Sequence, residues 1–136
     1  MPKSPEKPAS KAAAAPRKNR PAKTALPVKP FLRFYHSEAL RAKTLSVLSA
    51  IEQAKDPKQH RSALADIVVE LTASGMDYFF LRPLKIAKAG FFTEQSANLG
   101  LATTTRVMAS VIRNIIGGMD KPQILSVCGY IRGLME

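Results

Sequence analysis

Cysteine, histidine and tryptophan are nearly missing from this chain: one cysteine, two histidines and no tryptophan occur in 136 residues. A single cysteine closes no intrachain disulfide, which excludes the disulfide-stapled secreted domains. Two histidines and one cysteine fall short of the usual four-ligand zinc site. Acids are scarce too, with 10 Asp and Glu against 21 Lys and Arg, so the formal net charge is +11. Long uncharged runs are also lacking. After residue 30 the longest is 95–105, well short of the roughly 20 residues that a membrane-spanning helix needs. No Gly-rich phosphate loop, nucleophile elbow or His-Glu-x-x-His pattern occurs. With no catalytic constellation to assemble, the expectation is a non-enzymatic protein without cofactor or metal.

The charge that is present is unevenly spread. Residues 1–30 carry eight cations (Lys3, Lys7, Lys11, Arg17, Lys18, Arg20, Lys23 and Lys29) and one acid, Glu6. Seven of the ten prolines and seven alanines lie there, while Met1, Leu26 and Val28 are its only large apolar residues. Such a segment buries too little apolar surface to offset its ordering entropy, and its prolines disfavour helix. Residues 1–30 are therefore expected to be a disordered basic tail. There is no apolar stretch of the secretory kind, and proline density opposes an amphipathic transit helix, so the expected location is the cytoplasm. In composition the Lys/Ala/Pro mixture resembles linker-histone tails and the basic tails of some bacterial nucleoid-associated and granule-associated proteins. That likeness covers the tail alone.

Residues 31–136 hold most of the apolar residues of a chain that is 46% apolar, show no strand alternation or hairpin dipeptides, and read as helix throughout. The spacing predicts an all-α fold, a compact four- or five-helix bundle behind the disordered tail. A first helix over 38–55 starts at Ser37 and gathers Leu40, Thr44, Val47, Leu48 and Ile51 on one face. A second starts at Asp56-Pro57 with Gln59 at capping-box spacing, carries the stripe Leu64, Ile67, Val68 and Leu71, and ends near Ser74-Gly75 or runs on through Tyr78. The apolar segment 76–89 contains Pro83, where a kink or fresh start is expected, and Gly90 is the expected stop. A fourth helix from about Thr93 to Gly117-Gly118 has Leu101, Thr104, Met108, Val111, Ile112 and Ile115 on one face. The last begins at Asp120, Pro122 and Gln123 and carries Ile124, Leu125, Val127, Cys128, Ile131 and Leu134.

Two groups of residues are candidates for binding. The tail cations can follow a polyanion and release its counterions without fixed geometry, which implies nonspecific association with DNA or RNA. A solubilising segment is the alternative. The second group lies in 78–92: Tyr78, Phe79, Phe80, Arg82, Lys85, Lys88, Phe91 and Phe92 interleave rings with cations. It can lie on an anionic membrane or hydrophobic granule surface, or stack unpaired bases. The commoner fate of such a segment is an ordinary buried helix with a solvated basic edge. Phe31, Phe34 and Tyr35, with Arg33, form either a docking strap or a lid over the bundle end.

Other features read as ordinary structure. Cys128 is expected to be a buried thiol, His36 and His60 solvated, and the Asp66/Glu70 pair a solvated face. Gly129-x-x-x-Gly133 is a weak self-association pattern that makes a homodimer a possible partner. A helix-turn-helix reader at Gly117-Gly118 is rejected, because the last helix exposes too few base-reading side chains. The leading expectation is a helical binding module whose basic tail holds nucleic acid or another polyanion nonspecifically. The alternative is an amphipathic protein that binds a membrane or granule surface through 78–92. No small-molecule substrate is indicated.

Overall fold

The computed structural model describes residues 29–135. The expected tail therefore lies outside the described residues except for Lys29 and Pro30. The chain divides after Arg33 into two units. In the described part of the first, the Arg33 guanidinium stands 5.0 Å over the Phe31 ring.

The second unit is all-α, with no strand among the described residues. Four long helices, α1 (Glu38–Gln53), α2 (Arg61–Met76), α4 (Phe91–Gly117) and α5 (Lys121–Met135), are joined by one short helix, α3 (Arg82–Ile86). Ser37 caps α1 by accepting from the Leu40 amide at 3.0 Å. The two proline-containing starts differ in detail. Asp120 and Gln123 make a reciprocal capping box, the Gln123 amide donating to Asp120 Oδ1 at 3.0 Å and the Asp120 amide to Gln123 Oε1 at 2.9 Å. Asp56 instead accepts from the Lys58 amide at 3.2 Å and opens a 3-10 turn, Pro57–His60, ahead of α2. In the first case proline stands two residues after the aspartate; in the second it follows directly, and the first amide beyond Pro57 takes the carboxylate.

α2 does not end at Gly75. It passes without interruption into a π-helical turn, Asp77–Leu81, and then into α3. The Arg82 amide donates to the Asp77 carbonyl, five residues back. Pro83 follows this widened turn. In a regular α-helix its ring would crowd the carbonyl of Phe79 and leave it without a donor, so the π turn takes the place of the expected break.

The expected stop at Gly90 also moves. Ala89 donates to the Leu84 carbonyl and Lys88 to the Lys85 carbonyl, each at 3.1 Å, which is the Schellman arrangement. The residue that adopts the left-handed conformation is Lys88, at φ 54°. Gly90, at φ 99°, sits one step outside α4 and turns the chain into it. There the glycine begins a helix instead of ending one.

α2 lies at the centre, packed against α1 on one side and α4 on the other, while α5 packs on α1 and the 3-10 turn. Leu48 and Ile51 from α1, Leu64, Ala65 and Ile67 from α2, Ile116 from α4, and Ile124, Cys128 and Ile131 from α5 form the buried core. Thr44 is the buried polar residue among them, and its hydroxyl donates to the Leu40 carbonyl at 2.7 Å. This core sits at one end. No residue between Val68 and Ile115 is fully buried, so α4 leaves the core and runs alongside α2 and the π turn as a long hairpin.

Polar side chains tie the helices at the surface. Asp66 and Glu70, on adjacent turns of α2, do not act together: Asp66 pairs with Arg113 of α4, and Glu70 with Lys43 of α1. Arg132 of α5 donates to Glu52 Oε1 at 2.6 Å and to the Ser49 hydroxyl at 3.1 Å. The Arg61 Nε donates to the Met119 carbonyl at 2.9 Å, holding the α4–α5 connection against the start of α2.

Candidate functional site

The hairpin formed by α2, the π turn, α3 and α4 carries the second group of candidate residues at its far end. Leu81, Leu84 and Ala89 are half-buried, while the rest of 79–92 faces outward. The fully buried reading of this segment is therefore not what the fold adopts. The segment falls into two parts.

Near the bundle, Tyr78 and Phe79 join an aromatic cluster. Phe34 is its centre, with ring centroids 5.9 Å from Tyr78 and 5.7 Å from Phe79, and Tyr78 and Phe79 stand 5.2 Å apart. Phe34 rests against α2 at Gly75. A Cβ there would stand 3.8 Å from Phe34 Cζ, so the ring lies directly on the helix surface. Tyr35 remains exposed at the cluster edge, 6.3 Å from Tyr78. Arg82 lies 4.9 Å over the Tyr78 ring and 3.6 Å from the Asp77 carboxylate, so its charge is already engaged. Phe34 thus behaves as a lid and not as a free strap.

At the tip the picture changes. Ile86 is 80% exposed, Phe91 69% and Phe92 84%, and Phe80 is also exposed. Phe91 and Phe92 meet edge to face at 5.7 Å. Lys85 and Lys88 flank them in solvent, and no acid occurs between residues 78 and 92. The Schellman turn positions Lys88, and Gly90 directs Phe91 and Phe92 onto the outer end of α4.

A shallow apolar recess lined by Tyr78, Phe79, Arg82, Pro83 and Ile86 runs along one side of the hairpin. Its walls are rings and aliphatic groups, with one guanidinium at the edge. Nothing there supplies a nucleophile, base or metal set.

The remaining titratable residues lie elsewhere. Cys128 is buried, and burial, with the Glu52 carboxylate opposing ionisation and Arg132 favouring it, pushes the thiol up to about 11. It is protonated at neutral pH. His36 is half-buried with Nε2 3.4 Å from the Met135 sulfur, and not solvated as expected. Among the described residues no three His, Cys, Asp or Glu side chains converge on a metal site, and no helix is long and apolar enough to cross a membrane. Of the tail cations, seven lie outside the described residues; Lys29 is exposed.

Comparison with family models, curated proteins and solved structures gives no match to this chain.

Proposed function

We propose that this protein associates peripherally with an anionic lipid surface, on the cytoplasmic side of a membrane or around a lipid-coated hydrophobic granule. The tip of the hairpin is the inserting element. The observation that carries this reading is the exposure of Ile86, Phe91 and Phe92 on a segment that also presents Lys85 and Lys88 and has no acid between Tyr78 and Phe92. Folded domains rarely expose large apolar side chains in clusters to water.

Magnitudes support a shallow, reversible mode. Full burial of an Ile or Phe side chain is worth about 1.5–3 kcal/mol, so three at the tip supply on the order of 5 kcal/mol. That is close to a single acyl anchor, which binds marginally and needs a second signal. The basic tail fits that need: polybasic segments are drawn to the negative potential of a cytoplasmic leaflet. Rings provide burial, and cations provide attraction and orientation.

The polyanion reading of the tail is carried by its charge alone and predicts binding without the tip. Co-sedimentation of the full chain with vesicles of phosphatidylglycerol and phosphatidylcholine separates the two. The expected result is binding to anionic vesicles that drops at least tenfold in a Phe91→Ser/Phe92→Ser variant and weakens in Lys85→Glu. If that variant binds as well as the parent, the tip has no role. If duplex DNA is bound tightly and salt-sensitively while vesicles are not, the tail reading replaces this one.

A further inference from the structure

The recess beside the tip has a chemistry of its own. Tyr78 and Phe79 of the π turn and Arg82, Pro83 and Ile86 of α3 line a space of about 340 Å3. That is the low end of the volumes, roughly 300–1,000 Å3, that take small ligands. Four of the five lining residues offer rings or aliphatic groups, and the fifth is a cation.

The charge of Arg82 is engaged, but its donors are not. It meets the Asp77 carboxylate through Nε at 3.6 Å, beyond hydrogen-bond reach. Its guanidinium lies 4.9 Å over the Tyr78 ring. Among the described residues no hydrogen bond takes its terminal nitrogens. A guanidinium steadied by a ring in this way keeps a planar fork of N–H groups, the shape that binds phosphate by two parallel hydrogen bonds.

We propose that this recess is a binding site for one phosphate-headed lipid, with an acyl chain against Tyr78, Phe79, Pro83 and Ile86 and the phosphate on the Arg82 guanidinium.

Three observations select this occupant. First, the pairing of chemistries. An apolar trough with one open cationic fork suits a molecule with an apolar chain and an anionic head. A purely apolar ligand would leave the fork unfilled, and free phosphate would leave the rings bare. Second, charge. Asp77 is the only acid between residues 76 and 92, and it faces Arg82. Lys85 lies one turn beyond Arg82 and is exposed, so the surroundings stay net positive. Third, place. Ile86 belongs both to the recess and to the exposed tip. A tip seated on a lipid surface therefore brings the recess to the level of the headgroups. The source of the lipid, a membrane or a granule coat, rests on that reading of the tip; the chemistry of the recess does not.

Titration of the full chain with dihexanoyl-phosphatidylglycerol below its micelle concentration tests the site with no surface present. Binding is followed by NMR of the backbone amides and the arginine side chains. The expected result is saturable one-to-one binding with Kd on the order of 0.1 mM, moving the Arg82 Nε–H resonance and the Tyr78 and Phe79 amides. Dihexanoylglycerol, which has the chains without the phosphate, and inorganic phosphate should each bind at least about tenfold more weakly. Arg82→Gln should weaken binding at least about tenfold, and Arg82→Lys, which keeps the charge without the fork, should restore little of it. Ile86→Glu, at a solvent-facing position, should keep its circular dichroism and also weaken binding. Phe91→Ser/Phe92→Ser should bind the soluble lipid as the parent does while losing vesicles. Absence of saturable binding overturns the inference even where vesicles are bound, and leaves the tip reading standing. Binding indifferent to Arg82→Gln and Ile86→Glu overturns the recess as the site. Equal binding of dihexanoylglycerol overturns the phosphate contact. Saturable, Arg82-dependent binding beside vesicle binding that ignores Phe91→Ser/Phe92→Ser upholds the recess and overturns the tip reading.

Discussion

The Ala89 amide donates back to the Leu84 carbonyl at 3.1 Å, and the residue that makes this possible is Lys88, held at φ 54°. A lysine in that conformation carries a Cβ clash that glycine does not. Lys88→Gly should therefore raise stability by about 0.5–1 kcal/mol in urea unfolding, after the greater freedom of glycine in the unfolded chain is counted. The same change removes a tip cation. Vesicle affinity should fall while stability rises, a divergence that ordinary surface positions do not show.

Gly75 presents the reverse case. It lies inside α2 with helical geometry, where glycine is unfavourable relative to alanine. An added Cβ would meet Phe34 Cζ at 3.8 Å, an ordinary contact. Gly75→Ala is expected to stabilise by about 0.5–1 kcal/mol. Gly75→Leu should instead push Phe34 off the helix and change the near-ultraviolet signal of the Phe34–Tyr78–Phe79 cluster.

The thiol of Cys128 makes stability depend on alkaline pH. Its folded value of about 11 lies above the ordinary 9.0 of an exposed thiol. As pH rises past 9 the unfolded chain loses this proton first, so the folded state loses ground until pH passes 11. The contribution lost is on the order of 2 kcal/mol. Stability curves of the parent and of Cys128→Ala, measured between pH 8 and about 11, should converge in slope below pH 9 and separate above it. Equal slopes throughout would contradict the burial argument.

Ile67 is fully buried at the junction of α2 with its neighbours. Ile67→Ala should cost about 2–5 kcal/mol. Ile86→Ala, at the exposed tip, should cost less than about 0.5 kcal/mol in water while reducing vesicle binding. The contrast, read by thermal unfolding and co-sedimentation, separates core from binding surface within one amphipathic hairpin.

Much of this architecture was readable in advance, for identifiable reasons. Ser37 and the Asp120–Gln123 pair are local devices, set by a few neighbouring residues. The stripes of α1, α2 and α5 were readable because each has one apolar side: Thr44, Leu48 and Ile51; Leu64 and Ile67; Ile124, Cys128 and Ile131. α4 was not, since apolar residues occupy two adjacent sides of it. The side it turns inward uses Ala97 and Ala109, whose small size allows close approach but adds little to a hydrophobic pattern. Met108, Val111 and Ile115, expected to share a packed face, are left open for that reason. Lys88 as a helix stop had no local signature, because glycine two residues later was the better chemical candidate. Exposure of Ile86, Phe91 and Phe92 depends on how far the hairpin outruns the core, a property of lengths and not of any residue type.

One consequence of the π turn concerns chain length. A π-helical turn holds about one residue more than an α-helical turn, and one residue corresponds to roughly 100° of rotation. Everything beyond Leu81 is therefore swung by about that angle relative to a straight continuation of α2. Removing one residue from Asp77–Leu81 would swing Lys85, Ile86 and the turn into α4 to another side, and would set Pro83 in a regular helix that kinks there. The direction in which the aromatic end points is thus set by a single extra residue lodged mid-stalk, so length change by one is a coarse rotary adjustment of the tip that leaves the core untouched.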